Sequence, residues 1–222
     1  MMTGIAGGTD RAAVGLPSAA LTRRRALWLL AGLPAACTSP NPTLYTLAMV
    51  PGVVRSGAPA RIELRAVALA RYLERSQIVR SSEDFRLDVL GNDWWGEPLD
   101  AMLNRVLVQA LSQRLPASTV FAENGAITAT PDASLELNIQ RFDEDRSGAV
   151  LLEAQVAVTG AANGARNVRL TVMPPTAGTP GLVSAMSTAT GQLADIMAAM
   201  LVVPAAPAVA PPPRGRPGRG LG

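Results

Sequence analysis

"LELNIQRFDEDRSGAVLLEAQVAV", residues 135–158, holds two long alternating runs joined by a turn. In LELNIQRF (135–142) and VLLEAQVAV (150–158) apolar and polar residues take turns, the period of two expected of strands with one face on a core. The joining DEDRSGA (143–149) carries Asp, Ser and Gly, which favour turns through short polar side chains or freedom at positive φ. ARNVRLTVM (165–173) supplies a third alternating run. This half of the chain therefore predicts three long strands in succession.

Working outward, STVFA (118–122) reads as a strand, and the segments at either end of the strand block read as helices. The first helix is expected over about 98–115, with Leu99, Met102, Leu103, Val106, Leu107, Ala110 and Leu111 on one stripe. Pro98 suits its first turn, and Asp100 suits the positive end of its dipole. The second is expected over about 182–201, with Val183, Met186, Leu193, Ile196, Met197 and Met200 on its apolar side.

Upstream lie shorter strands, at Leu44–Ala48, in RIELRAVAL (61–69), at Gln77–Arg80 and at Phe85–Val89. In RIELRAVAL, Ile62, Leu64 and Ala66 alternate with Arg61, Glu63 and Arg65, and the pattern slips near Val67, as a bulge would make it. Phe85, Leu87 and Val89 alternate with Arg86 and Asp88, and Ser81–Asp84 reads as a hairpin connection. Strands, a helix, more strands and a second helix predict an α/β domain of the α+β type. It has two layers, with two main helices packed on one face of a mixed, largely antiparallel sheet.

The ends of the chain read differently. TRRRALWLLAGLPAAC (22–37) sets Arg23, Arg24 and Arg25 before an apolar run from Ala26 to Leu33, then small residues up to Cys37. That is the anatomy of an export signal, too short to span a bilayer. Its "TRRRALWLL" also resembles a twin-arginine signal. Cys37 is the single cysteine, so it forms no disulfide within the chain. At the end of the apolar run it resembles the acylated first residue of a bacterial lipoprotein, although Pro34 stands where that pattern usually has Leu. The expected organisation is a leader and signal over 1–36, a domain over 37–203 that opens with a tether at 37–43, and a disordered Pro/Arg/Gly tail over 204–222.

The net charge of +3 belongs to those ends. Between Cys37 and Val203 there are 13 Arg against 16 Asp and Glu, so no basic patch of the kind a phosphate backbone requires is expected, and no nucleic-acid partner. The chain contains no histidine and no lysine, which removes Ser-His-Asp, Cys-His, histidine-metal, P-loop and Schiff-base chemistry together. With Cys37 acylated, no thiol nucleophile is left. The carboxylate run Asp143-Glu144-Asp145 could supply a metal or an acid–base pair, but its place beside RSGA favours a solvated turn. No enzyme, cofactor or metal is expected.

RYLERSQIVRSSEDFRLDVLGNDWWGEPLD (71–100) remains. Trp94 and Trp95, just before a helix start, could cap the core, Trp95 as a staple on the helix. Arg71, Glu74 and Arg75 flank Tyr72 and Leu73, and aromatics beside arginine are a common composition of protein contacts. "ARYLERSQIVR" followed by "WWGEPLDAMLNRVLVQAL", behind a lipoprotein signal and "YTL", resembles the ABC-type transport auxiliary lipoproteins, the PqiC-like family. Ser76 stands where that family usually has Pro, and the tail is not a family feature.

The resemblance implies a fold related to the TolB N-terminal domain and a non-enzymatic, lipid-anchored subunit at the periplasmic face of the outer membrane. Its implied partners are an MCE-domain protein and the associated permease and ATPase, in a system moving lipids between the two membranes. Tyr72, Leu73, Arg75, Ile78, Trp94 and Trp95 are then the expected contact residues. Self-association into a homo-oligomer stays open. The competing reading is a free-standing envelope lipoprotein that binds glycan or another envelope protein.

Overall fold

The structure, a computed structural model, describes residues 41–83, 85–127 and 129–202. All of them fall in the compact unit Pro40–Gly222. The leader at 1–36, the lipidation expected at Cys37, the tether up to residue 40 and the tail at 204–222 lie outside the described residues.

The elements in chain order are β1 (Thr43–Tyr45), β2 (Arg61–Leu64), β3 (Ala68–Leu69), a 3-10 turn (Arg71–Leu73), β4 (Gln77–Glu83) and β5 (Arg86–Trp95). Then come α1 (Leu99–Arg114), β6 (Thr119–Ala122), β7 (Ala133–Glu144), β8 (Val150–Gly160), β9 (Gly164–Val172) and α2 (Thr179–Leu201). The strand-rich half and both helices stand where the periodicity places them.

β7 is the spine of the sheet. On one edge it pairs antiparallel with β8 from Ala133–Gly160 to Glu144–Val150, and β8 pairs antiparallel with β9. The other edge takes three short strands in turn, all parallel: β2 with Leu64 opposite Leu135, β3 with Ala68 opposite Asn138, and β4 with Arg80 opposite Glu144. β6 lies outside β2, β5 outside β4, and β1 outside β5. The sheet is mixed, and its longest ladders are antiparallel. From Leu64 to Ala68 the chain takes one step more than β7 does between Leu135 and Asn138. That extra residue is the slip visible in RIELRAVAL, and it turns Val67 inward to 7% exposure.

Both helices cover one face. The whole expected stripe of α1 is buried, as are Val183, Met186, Leu193 and Met197 of α2, whereas Ile196 and Met200 are only partly covered. Ile62, Leu64, Leu135 and Ile139 meet the helices from the sheet with no exposed surface. Each such side chain contributes about 1.5–3 kcal/mol relative to an exposed one. α2 also buries Gly181, Ala185, Ala189, Gly191, Ala194 and Ala198, small residues that let backbones approach closely.

A strap crosses the helical layer between β1 and β2. The Leu47 N–H points at Met102 Sδ (3.1 Å), the Ala48 N–H donates to Ser187 Oγ (3.1 Å), and Gly52 exchanges hydrogen bonds with the Gln113 amide (2.9 and 3.2 Å). Arg114, the last residue of α1, pins it. Its guanidinium is fully buried and donates to Asp195 Oδ1 (2.6 Å), Val50 O (3.1 Å), Ala110 O (3.1 Å) and Gly191 O (2.9 Å). A Cβ on Gly52 would lie 2.2 Å from Arg114 Nη2, and one on Gly191 would lie 2.9 Å from the Val50 Cβ.

The hairpin of β4 and β5 corrects one expectation. Ser81 to Glu83, expected as the connection, belong to β4, and Phe85 stands at the turn and not in a strand, while Leu87 and Val89 share a face of β5; all three apolar residues are exposed, Phe85 completely. The last contact of β4 with the spine is Arg80 opposite Glu144, while the hairpin continues to Glu83 and Arg86. Its outer part projects past the sheet, so the apolar face has no core behind it. β5 also runs on to Trp95, which places both tryptophans in a strand.

Candidate docking cavity around Tyr72

The 3-10 turn Arg71–Leu73 follows the short β3, whose neighbour Ala70 donates to Ile139 O at 2.9 Å. This bond holds the turn against β7 and swings Tyr72 toward its end. The Tyr72 hydroxyl donates to Asp143 Oδ2 at 2.7 Å and accepts the Phe142 N–H at 3.4 Å. Arg141 Nε donates to the other carboxylate oxygen, Asp143 Oδ1, at 3.0 Å. Asp143 is 1% exposed, and both of its oxygens are paired. A buried carboxylate requires that pairing.

The electrostatics follow from the burial. Burial pushes the Tyr72 phenol above its ordinary range, and the hydrogen bond to Asp143 and that residue's charge push it further. Burial works against the Arg141 cation, but the hydrogen bond and charge of Asp143 outweigh it and its pKa is raised. At neutral pH the Tyr72 phenol keeps its proton and Arg141 its charge, and the two hold Asp143 from either side, the trio forming a positioning network.

The carboxylate run therefore divides. The turn reading fits Asp145, whose Oδ1 accepts the Ser147 N–H (2.8 Å), the Ser147 hydroxyl (2.6 Å) and the Ala149 N–H (3.1 Å). Burial alone would raise the Asp145 pKa, but these bonds and the charge of Arg141 overcome it and hold the carboxyl below its ordinary value. Asp143 is not a solvated turn residue. Its position two residues back, still on β7, puts it under Tyr72, which charge pattern alone does not reveal. No group of three or more potential metal ligands occurs among the described residues.

Above the trio opens a cavity of about 850 Å³, lined by Tyr72, Arg141 and Asp143 on one side and Phe85 and Leu87 of the hairpin on another. The β7–β8 turn closes a third side with Asp145 and Ser147. A second recess of about 570 Å³ lies on the sheet between Arg65, Glu136, Asn138, Gln155 and Asn167. The sequence gives little sign of either. The first depends on a hairpin overhanging a strand end 64 residues further along, between Arg80 and Glu144 in the register.

The six residues expected to make contact separate into two groups. Leu73 (4% exposed), Ile78 (0%) and Trp95 (6%) are core side chains, so a partner cannot reach them; the 3-10 turn carries Leu73 inward, and the alternation of β4 and β5 does the same for Ile78 and Trp95. The N–H of Trp95 donates to Ser76 O (2.7 Å) and that of Gly96 to Tyr45 O (2.8 Å), which ties the tryptophan pair to its neighbours. Tyr72 and Trp94 are half-buried, and Arg75 is exposed. Trp94 Nε1 donates to Gly91 O (3.1 Å), which fixes the indole with part of it outward. The accessible surface is thus Arg75, Tyr72 and Trp94, to which the cavity adds Phe85 and Leu87.

Comparison with known proteins agrees with this architecture. The family described as ABC-type transport auxiliary lipoprotein component matches residues 45–198. A crystal structure of an uncharacterized protein superposes with a TM-score of 0.62 at 20% identity, covering 72% of this chain and 98% of that one. Protein XCC0632 from Xanthomonas campestris, of the DUF330 family, superposes with a TM-score of 0.60 at 18% identity, covering 72% and 95%. None of the curated proteins compared matches the chain.

Proposed function

The chain belongs to the family of ABC-type transport auxiliary lipoprotein components, and we propose that it is the lipid-anchored adaptor of an MCE-type ABC system moving lipids between the inner and outer membranes. The family is not an enzyme family, and its members are auxiliary parts of transport systems in the cell envelope. The observation that carries the reading is the family match across nearly the whole described domain, 45–198.

In the proposed arrangement Cys37 bears the acyl chains and residues 37–43 form the tether. The domain over 37–203 faces the periplasm from the outer membrane. It docks its MCE-domain partner through Arg75, Tyr72 and Trp94, so that the partner's permease and ATPase are coupled to a fixed point on the far membrane. Arginine and aromatic side chains are the types that dominate protein interfaces. The bond to Asp143 holds Tyr72, and the bond to Gly91 O holds Trp94, which lowers the ordering cost of docking at those two side chains.

Capture from detergent-solubilised envelopes tests the reading. An MCE-domain protein with its permease and ATPase should be retained by the wild type and lost with Arg75→Ala. Retention of an unrelated envelope protein in its place would overturn the proposal. Sucrose-gradient separation tests the membrane: recovery with the inner membrane would contradict placement at the outer one.

A further inference from the structure

We propose that the tip of the β4–β5 hairpin is a second lipid-surface contact, in which Phe85 and Leu87 dip into the interface of the bilayer that holds the chain by Cys37. The inference rests on the proposed lipid anchor.

Three observations carry it. First, Phe85 is fully exposed, Leu87 46% and Val89 41%, on the part of the hairpin that projects past the end of the spine. Leu87 and Val89 share a strand face. Phe85 sits at the turn with φ +62°, a left-handed conformation uncommon for a bulky residue, so its side chain is carried outward at a cost in strain.

Second, the reach of the chain limits where the bilayer can be. Thr43 is paired with Asp93, and β1 runs parallel to β5. The chain therefore enters β1 from the side on which β5 leads back to the hairpin tip. Six residues from Cys37 to Thr43 span at most about 20 Å, and the seven from Asp93 back to Arg86 at most about 24 Å. A bilayer held through Cys37 lies within reach of the same tip.

Third, the charges around the apolar side chains suit a headgroup layer. Arg80 and Arg86 are exposed on the two strands of the hairpin, Arg86 Nε lies 3.1 Å from Asp88 Oδ1, and Glu83 stands opposite Arg86 in the ladder, so both signs of charge flank the apolar side chains, as they do in a zwitterionic headgroup layer. Guanidinium groups pair well with phosphate, and apolar side chains flanked by them match the boundary between headgroups and acyl chains. The occupant is a phospholipid surface. A protein partner on the same side chains is the outcome that would contradict it.

The two contacts together would orient the domain. One tether leaves it free to swing; a tether and a hairpin tip fix an axis, and the accessible Tyr72 side of the cavity is then held close to the bilayer.

The test uses the protein purified from membranes and reconstituted into vesicles of phosphatidylethanolamine and phosphatidylglycerol with brominated acyl chains. Phe85→Trp should add emission that the bromines quench, over the background of the native tryptophans. Ala161→Trp, in the β8–β9 turn at the opposite end of the spine, should add emission that they do not quench. A Phe85→Trp signal quenched no more than that of Ala161→Trp overturns the proposal. Flotation of Cys37→Ser combined with Phe85→Ser and Leu87→Ser reads the anchor separately: if that variant still floats, neither Cys37 nor the tip is the anchor, while the quenching comparison keeps its meaning on any vesicle-bound chain. If the purified protein binds no vesicles, both readings fall.

Discussion

Arg114 and Asp195 meet at 2.6 Å, the guanidinium wholly buried and the carboxylate a third exposed, at the crossing of α1 and α2. The same guanidinium holds the carbonyls of Val50 and Gly191, so one side chain joins both helices and the strap. Removing one partner of a buried pair typically costs about 3–5 kcal/mol, because the other charge is left uncompensated. Asp195→Asn, which leaves the buried guanidinium without a counter-charge, is expected to lower stability by about that amount, and Arg114→Ala by more, since the carbonyls of Val50, Ala110 and Gly191 lose their donor as well. Urea unfolding of the two variants checks the order. A loss below about 1 kcal/mol for Arg114→Ala would mean that the guanidinium is not holding the layer together.

Gly52→Ala should act through the same group. Its added methyl would lie 2.2 Å from Arg114 Nη2, on a guanidinium that cannot swing away without abandoning its four acceptors. Overpacking costs about 1–3 kcal/mol. The methyl would also lie 2.3 Å from Asp195 Oδ1, so in a double-mutant cycle Gly52→Ala should cost less in the Arg114→Ala background without becoming neutral; strict additivity would contradict the contact.

Tyr72→Phe should keep the ring packing and delete the bond to buried Asp143. The expected loss is about 1–3 kcal/mol, the cost of leaving a buried acceptor short of a partner. The pH dependence has a definite sign. The folded state raises the phenol's pKa, so its contribution is fully present below the unfolded value near 10 and is lost as pH rises beyond it through the folded value. Wild-type stability should therefore fall above about pH 10, and Tyr72→Phe should lack that component. Ultraviolet titration of tyrosinate on the two proteins, alongside unfolding at each pH, decides it.

Trp95→Ala and Arg75→Ala should separate folding from docking. Trp95 is a core side chain, and truncating a buried tryptophan costs about 3–5 kcal/mol. Arg75 is exposed, so its removal should leave the melting temperature within the scatter of surface changes, about ±0.5 kcal/mol, and reduce partner capture. If Arg75→Ala leaves capture unaltered, the docking patch lies elsewhere.

Much of the fold was legible because its long elements carry strong periods. The runs at 135–142 and 150–158 lie on β7 and β8, and the stripe from Leu99 to Leu111 is buried residue by residue. The bulge at Val67 was legible for the same reason, as a break in a period of two. What periodicity cannot convey is whether an alternating strand has anything behind it. Phe85, Leu87 and Val89 alternate in the sequence as a buried face would, yet Phe85 falls at the turn and all three stand in solvent. Nor does it show pairings between distant segments: Tyr72 finds Asp143, and Arg114 finds Asp195 and Val50, with no local signal that either meeting will occur. Nor could the composition of the loop from Arg71 to Arg80 tell the inward Leu73 and Ile78 from the outward Arg75.

The strap also determines how the domain bears load. A pull directed along the chain from Thr43 acts lengthwise on β1, so its hydrogen bonds to β5 must shear together instead of opening one at a time. Behind β1 the tension passes into residues 46–55 and reaches Arg114 through the Val50 carbonyl, at the meeting of the two helices. Tension applied at the chain's front end is thus delivered to the centre of the helical layer. With this route for force, the bonds of β1 and the strap's hold on Arg114 must both give way before a pull at Thr43 can open the core.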